Sequence, residues 1–165
     1  MNETQSQRTG KLESENLAGF TVFGEPGGFV HRNGPLYIRN DGDRTLLKML
    51  LQSVHVNRLG VASGGLLMMM LDITLGTTVS AKVGYEGICP TMQINCNLVA
   101  MARKGDWLHG EAEVTRETRS LAFATGRLFV DDETIATASA VFKIPSFVRE
   151  AQDKNGNRAV SARQA

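Results

Sequence analysis

From Gly64 to Ala81 the chain reads GGLLMMMLDITLGTTVSA, with Asp72 as the only charged side chain. The pattern predicts a helix over residues 64–81, weakest in its last turns, where Gly76, Thr77, Thr78 and Val79 are poor helix formers. So apolar a helix needs a sheet to cover it, and two sheets packed on each other would leave it without a place. Asp72 raises a separate question. A buried unpaired carboxylate is costly, so Asp72 reaches water or a hydrogen-bond partner, or it faces a site.

The flanking segments supply the sheet. GPLYIRN (34–40) and RTLLKMLLQSVHVN (44–57) read as two strands, with NDGD at 40–43 as the hairpin turn. After Pro90 the period becomes two: Met92, Ile94, Cys96 and Leu98 alternate with Gln93, Asn95 and Asn97. Three further strands fit residues 107–117, 120–130 and 135–145, joined by short connections such as DDET. The expectation is an α+β fold, a curved antiparallel meander wrapped around one long central helix. Residues 1–30, which include EPGG at 25–28, are expected as an arm or short helix followed by a turn. Residues 31–145 form the domain, and the polar residues 146–165 form a C-terminal tail.

Composition narrows the partners. A chain of 165 residues with a formal net charge of +1 and 6% aromatic residues points to one domain with no nucleic-acid partner and no anionic-membrane partner. The N-terminus lacks the apolar core of a signal peptide. The longest uninterrupted apolar run, Leu66–Leu71, is far below the roughly 18 residues of a membrane span. A cytoplasmic location is the default expectation. Cys89 and Cys96 read as small apolar residues, and no cluster has metal-ligand spacing, so neither a metal nor another cofactor is expected.

The stretch HVNRLGVASGG, followed after five residues by LDITLG, resembles the signature of the PaaI-like thioesterase family, whose members have the hotdog fold. The resemblance covers residues 36 to 145. It implies an acyl-CoA thioesterase in which Asn57 lines the site, the Gly64 backbone N–H polarises the thioester carbonyl, Asp72 is the catalytic carboxylate, and Thr91 lies near the attacking water. Asn95 matches a common family asparagine and is read as sheet wall. The family usually carries His-Gly-Gly where this chain has Ser63-Gly64-Gly65, a departure that bears on rate and substrate range more than on reaction class.

These residue types suit the chemistry. A helix N-terminus offers free N–H groups and positive potential to a developing oxyanion, and paired glycines admit a substrate close to the backbone, or else simply make a tight turn. Asp72 is either a general base on water, the preferred role, or a nucleophile forming an anhydride. Gly64 and Asp72 lie about 12 Å apart along one ideal helix, too far to serve one carbonyl. A second chain would bring its Asp72 beside Gly64, so a homodimer with shared sites is expected, as in the family, where dimers pair again into tetramers. Met68, Met69 and Met70 are core or an adaptable acyl pocket. Arg103, Lys104 and Arg127 are solvated surface or contacts for coenzyme A phosphates.

Three other functions bear on the same residues. Ser63 with His55 and Asp72 suggests a serine hydrolase, but GVASGG is not G-x-S-x-G, and Ser63 reads as a helix N-cap. Hotdog dehydratases pair an aspartate with a histidine five residues on, where this chain has Thr77. A noncatalytic protein that binds acyl-CoA or a small apolar ligand is the alternative of a different class.

Overall fold

The computed structural model describes residues 17–42 and 44–151. Seven strands and one long helix dominate it. Strand β1 (Thr21–Phe23) leads through a four-residue helix α1 (Phe29–Arg32) to β2 (Leu36–Asp41) and β3 (Arg44–Leu50). A 3-10 turn (Ser53–His55) and an irregular loop precede helix α2 (Gly64–Lys82), followed by β4 (Thr91–Leu98), β5 (Trp107–Glu117), β6 (Leu121–Val130) and β7 (Glu133–Lys143). The strands form a single sheet in the order β1-β2-β3-β5-β6-β7-β4, antiparallel throughout.

The sheet closes on α2 because its inner face is built from small residues. Ala122 and Ala124 on β6, and Ala136, Ala138 and Ala140 on β7, are buried there. At Gly110 an added Cβ would lie 2.5 Å from Thr74 Oγ1 of α2. Irregular registers at Thr91/Gln93, Val114/Arg116 and Leu128/Phe129 bend the strands, as bulges do. Under this arch Leu67, Met70, Leu71, Leu75 and Val79 of α2 join Leu47, Met49, Leu108, Leu128, Ile135 and Phe142 in the core.

The hotdog expectation holds, with four local differences. Helix α2 runs past Ala81 to Lys82 despite its threonines because Leu75, Thr78 and Val79 are buried against the sheet; Thr74, Thr77 and Thr78 satisfy their hydroxyls on the carbonyls of Met70, Ile73 and Thr74 at 2.7–2.8 Å. The second strand stops at Leu50 instead of continuing to residue 57, since Gln52 and His55 close a reciprocal cap around the 3-10 turn. Strand β4 is not the first strand of a sequential meander but crosses to the sheet edge beside β7. Within the segment expected as an arm, residues 21–23 are the seventh strand, paired with β2.

The expected hairpin turn is present, with Asp41 opposite Arg44 and Gly42 at φ +67°; Asp43 lies outside the described residues. Residues 146–151 are helical and Val148 is buried. The rest of the expected tail, 152–165, and residues 1–16 of the expected arm lie outside the described residues.

Candidate active site

Asp72 sits two turns into α2, half-buried, on the side of the helix that β4 approaches. Its partner is Thr91, whose Oγ1 donates to Asp72 Oδ1 at 2.7 Å. The position of Thr91 depends on the bulge at the start of β4. Ile94, Cys96 and Leu98 lie opposite Ala140, Ala138 and Ala136, residues on the buried face of β7. Thr91 is an odd number of residues from all three and would point away from the helix in a regular strand. The register shift between Thr91 and Gln93 sets Thr91 opposite Phe142 instead, on the helix side.

The remaining expected residues lie at the start of α2 and on the loop before it. The Asn57 N–H donates to Val61 O at 2.8 Å, and the Asn57 side chain folds back so that Oδ1 accepts the Leu59 N–H at 2.9 Å. With Oδ1 engaged, the Nδ2 protons are the part of this exposed amide left to meet a ligand. Ser63 occupies the N-cap position with extended backbone angles, but its hydroxyl makes no capping hydrogen bond. The cap expected at Ser63 is therefore one of position and not of side-chain bonding, and the N–H groups of the first turn stay open to another acceptor.

Gly64 has a packing reason as well as a chemical one. An added Cβ would meet Leu98 Cδ1 at 3.1 Å. The chain thus brings Asp72 and Thr91 together at one place, while Gly64 opens the helix at another and Asn57 lies on the turn before it, paired with Val61. The two places are separated by two turns of helix, about 12 Å along its axis.

The serine-hydrolase arrangement does not assemble. His55 is buried, its Nδ1 accepts the Gln52 N–H at 3.0 Å, and its Nε2 has no partner among the described residues, Ser63 included. Asp72 is turned to Thr91 instead. Among the described residues no group of three His, Cys, Asp or Glu side chains is placed to hold a metal ion. Cys96 is no nucleophile in waiting, because burial pushes its thiol pKa up and the Asp72 charge adds to the effect.

Beside the Asp72–Thr91 pair lies a cleft of about 500 Å³, within the usual range for small-molecule sites. One wall is the α2 face from Asp72 to Ala81, and Phe23, Val30, Ile38 and Phe142 contribute apolar side chains. The three methionines do not line it. Met70 is fully buried, Met69 packs on the core, and Met68 is 48% exposed. Arg127 is held by Glu111 at 2.6 Å and lies over the Phe129 ring. Sequence reasoning missed Phe23 and Val30, because the N-terminal segment shows no periodicity that would place it against α2; Ile38 lies in the expected strand over residues 34–40, where nothing marks which residue meets the site.

The fold agrees with that of related proteins. The family profile described as the thioesterase superfamily matches residues 59–137. A Pseudomonas aeruginosa protein named "Putative esterase PA0474" is 33% identical over 113 residues, 68% of this chain and 84% of the relative. The crystal structure of a phenylacetic acid degradation-related protein from Ralstonia eutropha superposes with a TM-score of 0.64 at 25% identity, covering 74% of this chain and 92% of that one. Zebrafish thioesterase superfamily member 2 superposes with a TM-score of 0.60 at 20% identity, covering 67% of this chain and 81% of that one. The chain belongs to the thioesterase superfamily and has its hotdog fold.

Proposed function

We propose that the protein is an acyl-CoA thioesterase, hydrolysing an acyl-CoA thioester to a carboxylic acid and free coenzyme A. The observation that carries the proposal is the 2.7 Å hydrogen bond from Thr91 to Asp72 beside an apolar cleft. Thr91 occupies Asp72 Oδ1, which leaves Oδ2 to receive a proton, while the Thr91 lone pairs can accept a hydrogen bond from water. A water so held attacks the carbonyl carbon as Asp72 takes its proton. Charge builds on the carbonyl oxygen, where the open N–H groups at the start of an α2 helix oppose it. The carbon–sulfur bond then breaks, and the departing thiolate takes the proton that Asp72 received from water, giving the thiol, the carboxylic acid and an ionised Asp72. Direct attack by Asp72, through an anhydride that water cleaves, uses the same groups.

One chain cannot bring its Gly64 and Asp72 to the same carbonyl, so each site takes Asn57 and Gly64 from one protomer and Asp72 and Thr91 from its partner. Strand β4 supports this assembly. It is an edge of the sheet, and Met92, Leu98 and Met101 on and after it are exposed, as is Met68 on α2. An apolar edge of this kind is suited to self-association.

Release of free thiol from acyl-CoA tests the activity; a protein that binds acyl-CoA and releases none is the noncatalytic alternative. Mixing tests the shared site. Homodimers of Asp72→Asn and of Asn57→Ala are each impaired, while subunit exchange between them yields heterodimers with one intact site. Turnover above the mean of the two homodimers is expected. No gain, with heterodimers confirmed by native mass spectrometry, refutes the sharing.

A further inference from the structure

The cleft beside Asp72 has a direction. Four residues apart along α2 and its C-terminal continuation come Asp72, Gly76, Ser80 and Gly84, all of which border the cleft. The ring of Phe142 packs onto Gly76, where an added Cβ would meet its Cε1 at 3.3 Å, so the open space lies along the neighbouring row Ile73, Thr77 and Ala81. The result is a trough that starts at the Asp72–Thr91 pair and runs toward the C-terminal end of the helix. Over the 12 residues from Asp72 to Gly84 it extends about 18 Å at the helical rise. Phe23, Ile38 and Phe142 face it from the other elements.

Tyr85 and Glu86 border the far end of the trough, and the other polar side chains along it, apart from the Asp72–Thr91 pair, already have partners. Thr77 Oγ1 donates to Ile73 O at 2.7 Å, Asn40 Oδ1 accepts from Thr45 Oγ1 at 3.3 Å, and the Ser80 side chain is hydrogen-bonded to Cys89. They ask nothing of a ligand. A polar or charged acyl group would lose its water there without replacement, whereas methylenes gain by leaving water.

We propose that this trough measures the acyl chain, making unbranched aliphatic acyl groups of medium to long length the preferred substrates, with Thr77 and Ala81 as the specificity-determining residues along its wall. The inference rests on the thioesterase reading of the same site. With carbon–carbon bonds of about 1.5 Å, an extended chain advances about 1.3 Å per methylene, so the trough holds about 14 carbons. Thr77 stands five residues from Asp72, about 7.5 Å, or the depth reached by about six carbons. Ala81 stands nine residues away, about 13.5 Å, or about ten carbons.

Leucine at either position keeps good helix propensity and blocks the trough at a different depth. The experiment measures kcat/KM for acyl-CoAs from two to sixteen carbons with wild type, Thr77→Leu and Ala81→Leu. Wild type is expected to favour chains of about 12 to 14 carbons, as the trough length requires. In Thr77→Leu the optimum moves to about six carbons, and in Ala81→Leu to about ten. The dodecanoyl-to-hexanoyl ratio falls by about tenfold or more in the former. Because each profile is internal to one preparation, a variant that folds poorly lowers every value without moving the optimum, and the other variant still reports.

If wild type hydrolyses two-carbon and twelve-carbon substrates alike and neither variant moves the profile, the ruler is wrong while the thioesterase reading stands. If wild type releases thiol from none of them, that reading falls and the ruler falls with it.

Discussion

Replacing Thr91 by valine keeps the branched shape of the side chain and removes its proton donor. In the native chain that donor holds Asp72 Oδ1 at 2.7 Å. Hydrogen bonds to charged groups contribute about 1.5–3 kcal/mol. Thr91 is exposed and Asp72 only half-buried, which puts this one at the low end, about 1–2 kcal/mol. If the bond fixes the carboxylate for its reaction with water, that energy is lost from the transition state, and kcat falls about 5- to 30-fold. KM changes little, because the bond does not hold the coenzyme A portion. Thr91→Ser restores the donor and stays within about threefold of wild type. Thermal melting of the three proteins should nearly coincide, since the half-buried Asp72 carboxylate that loses its donor takes up water in its place. Steady-state thiol release on one acyl-CoA decides the matter. Wild-type kcat in Thr91→Val, or a Thr91→Ser variant as damaged as Thr91→Val, would refute the positioning role and return Thr91 to an ordinary strand residue.

Two further predictions concern the frame around the site. Gly110→Ala places a Cβ 2.5 Å from Thr74 Oγ1 and 3.2 Å from Leu128 Cδ2; urea unfolding should show a loss of about 1–3 kcal/mol, partly recovered in Gly110→Ala/Thr74→Ala, and strict additivity would deny the contact. His109, stacked on Phe129 with ring centroids 5.3 Å apart, has its pKa lowered by burial and then by the Lys48 charge. Below the ordinary value of about 6.5 the unfolded chain takes up a proton that the folded ring refuses, so stability falls with falling pH there and is unaffected above it. His109→Phe should flatten that part of the pH–stability curve, and an unchanged slope would show that other groups carry it.

The legible part of the fold was the part written in periods. The apolar run from Gly64 announced α2, and the alternation after Pro90 announced β4, because burial on one side fixes which residues can follow one another. Neighbour order is a different kind of fact. Nothing in the alternation of β4 says whether it lies beside β5 or, as observed, beside β7. Strand β1 has three residues, too few to show a period. The early end of β3 comes from the Gln52–His55 cap, a local hydrogen-bond exchange within a run that still reads as apolar and extended. At the site, Asp72 stood out because a lone charge in an apolar helix needs an explanation, and its partner Thr91 was named by family resemblance. The cleft was hidden, since Asp72 and Phe23 meet across it only after the chain has folded.

The bulge at the start of β4 makes the Thr91 hydroxyl a matter of residue count as much as residue identity. Its orientation is set by one additional residue between Thr91 and Gln93, against a partner strand that has none. Deleting Met92 would leave Ile94, Cys96 and Leu98 in their places opposite β7, and the sheet would keep its apolar pattern. The threonine would still be present, yet its side chain would turn outward and Asp72 would lose its donor. Conversely, a relative aligned to this chain by the alternation of its strand alone would place its hydroxyl residue one position off. In this chain the spacing from Ile94, the strand's first inward residue after the bulge, back to Thr91 decides whether the carboxylate has its hydroxyl partner, whatever residues stand between.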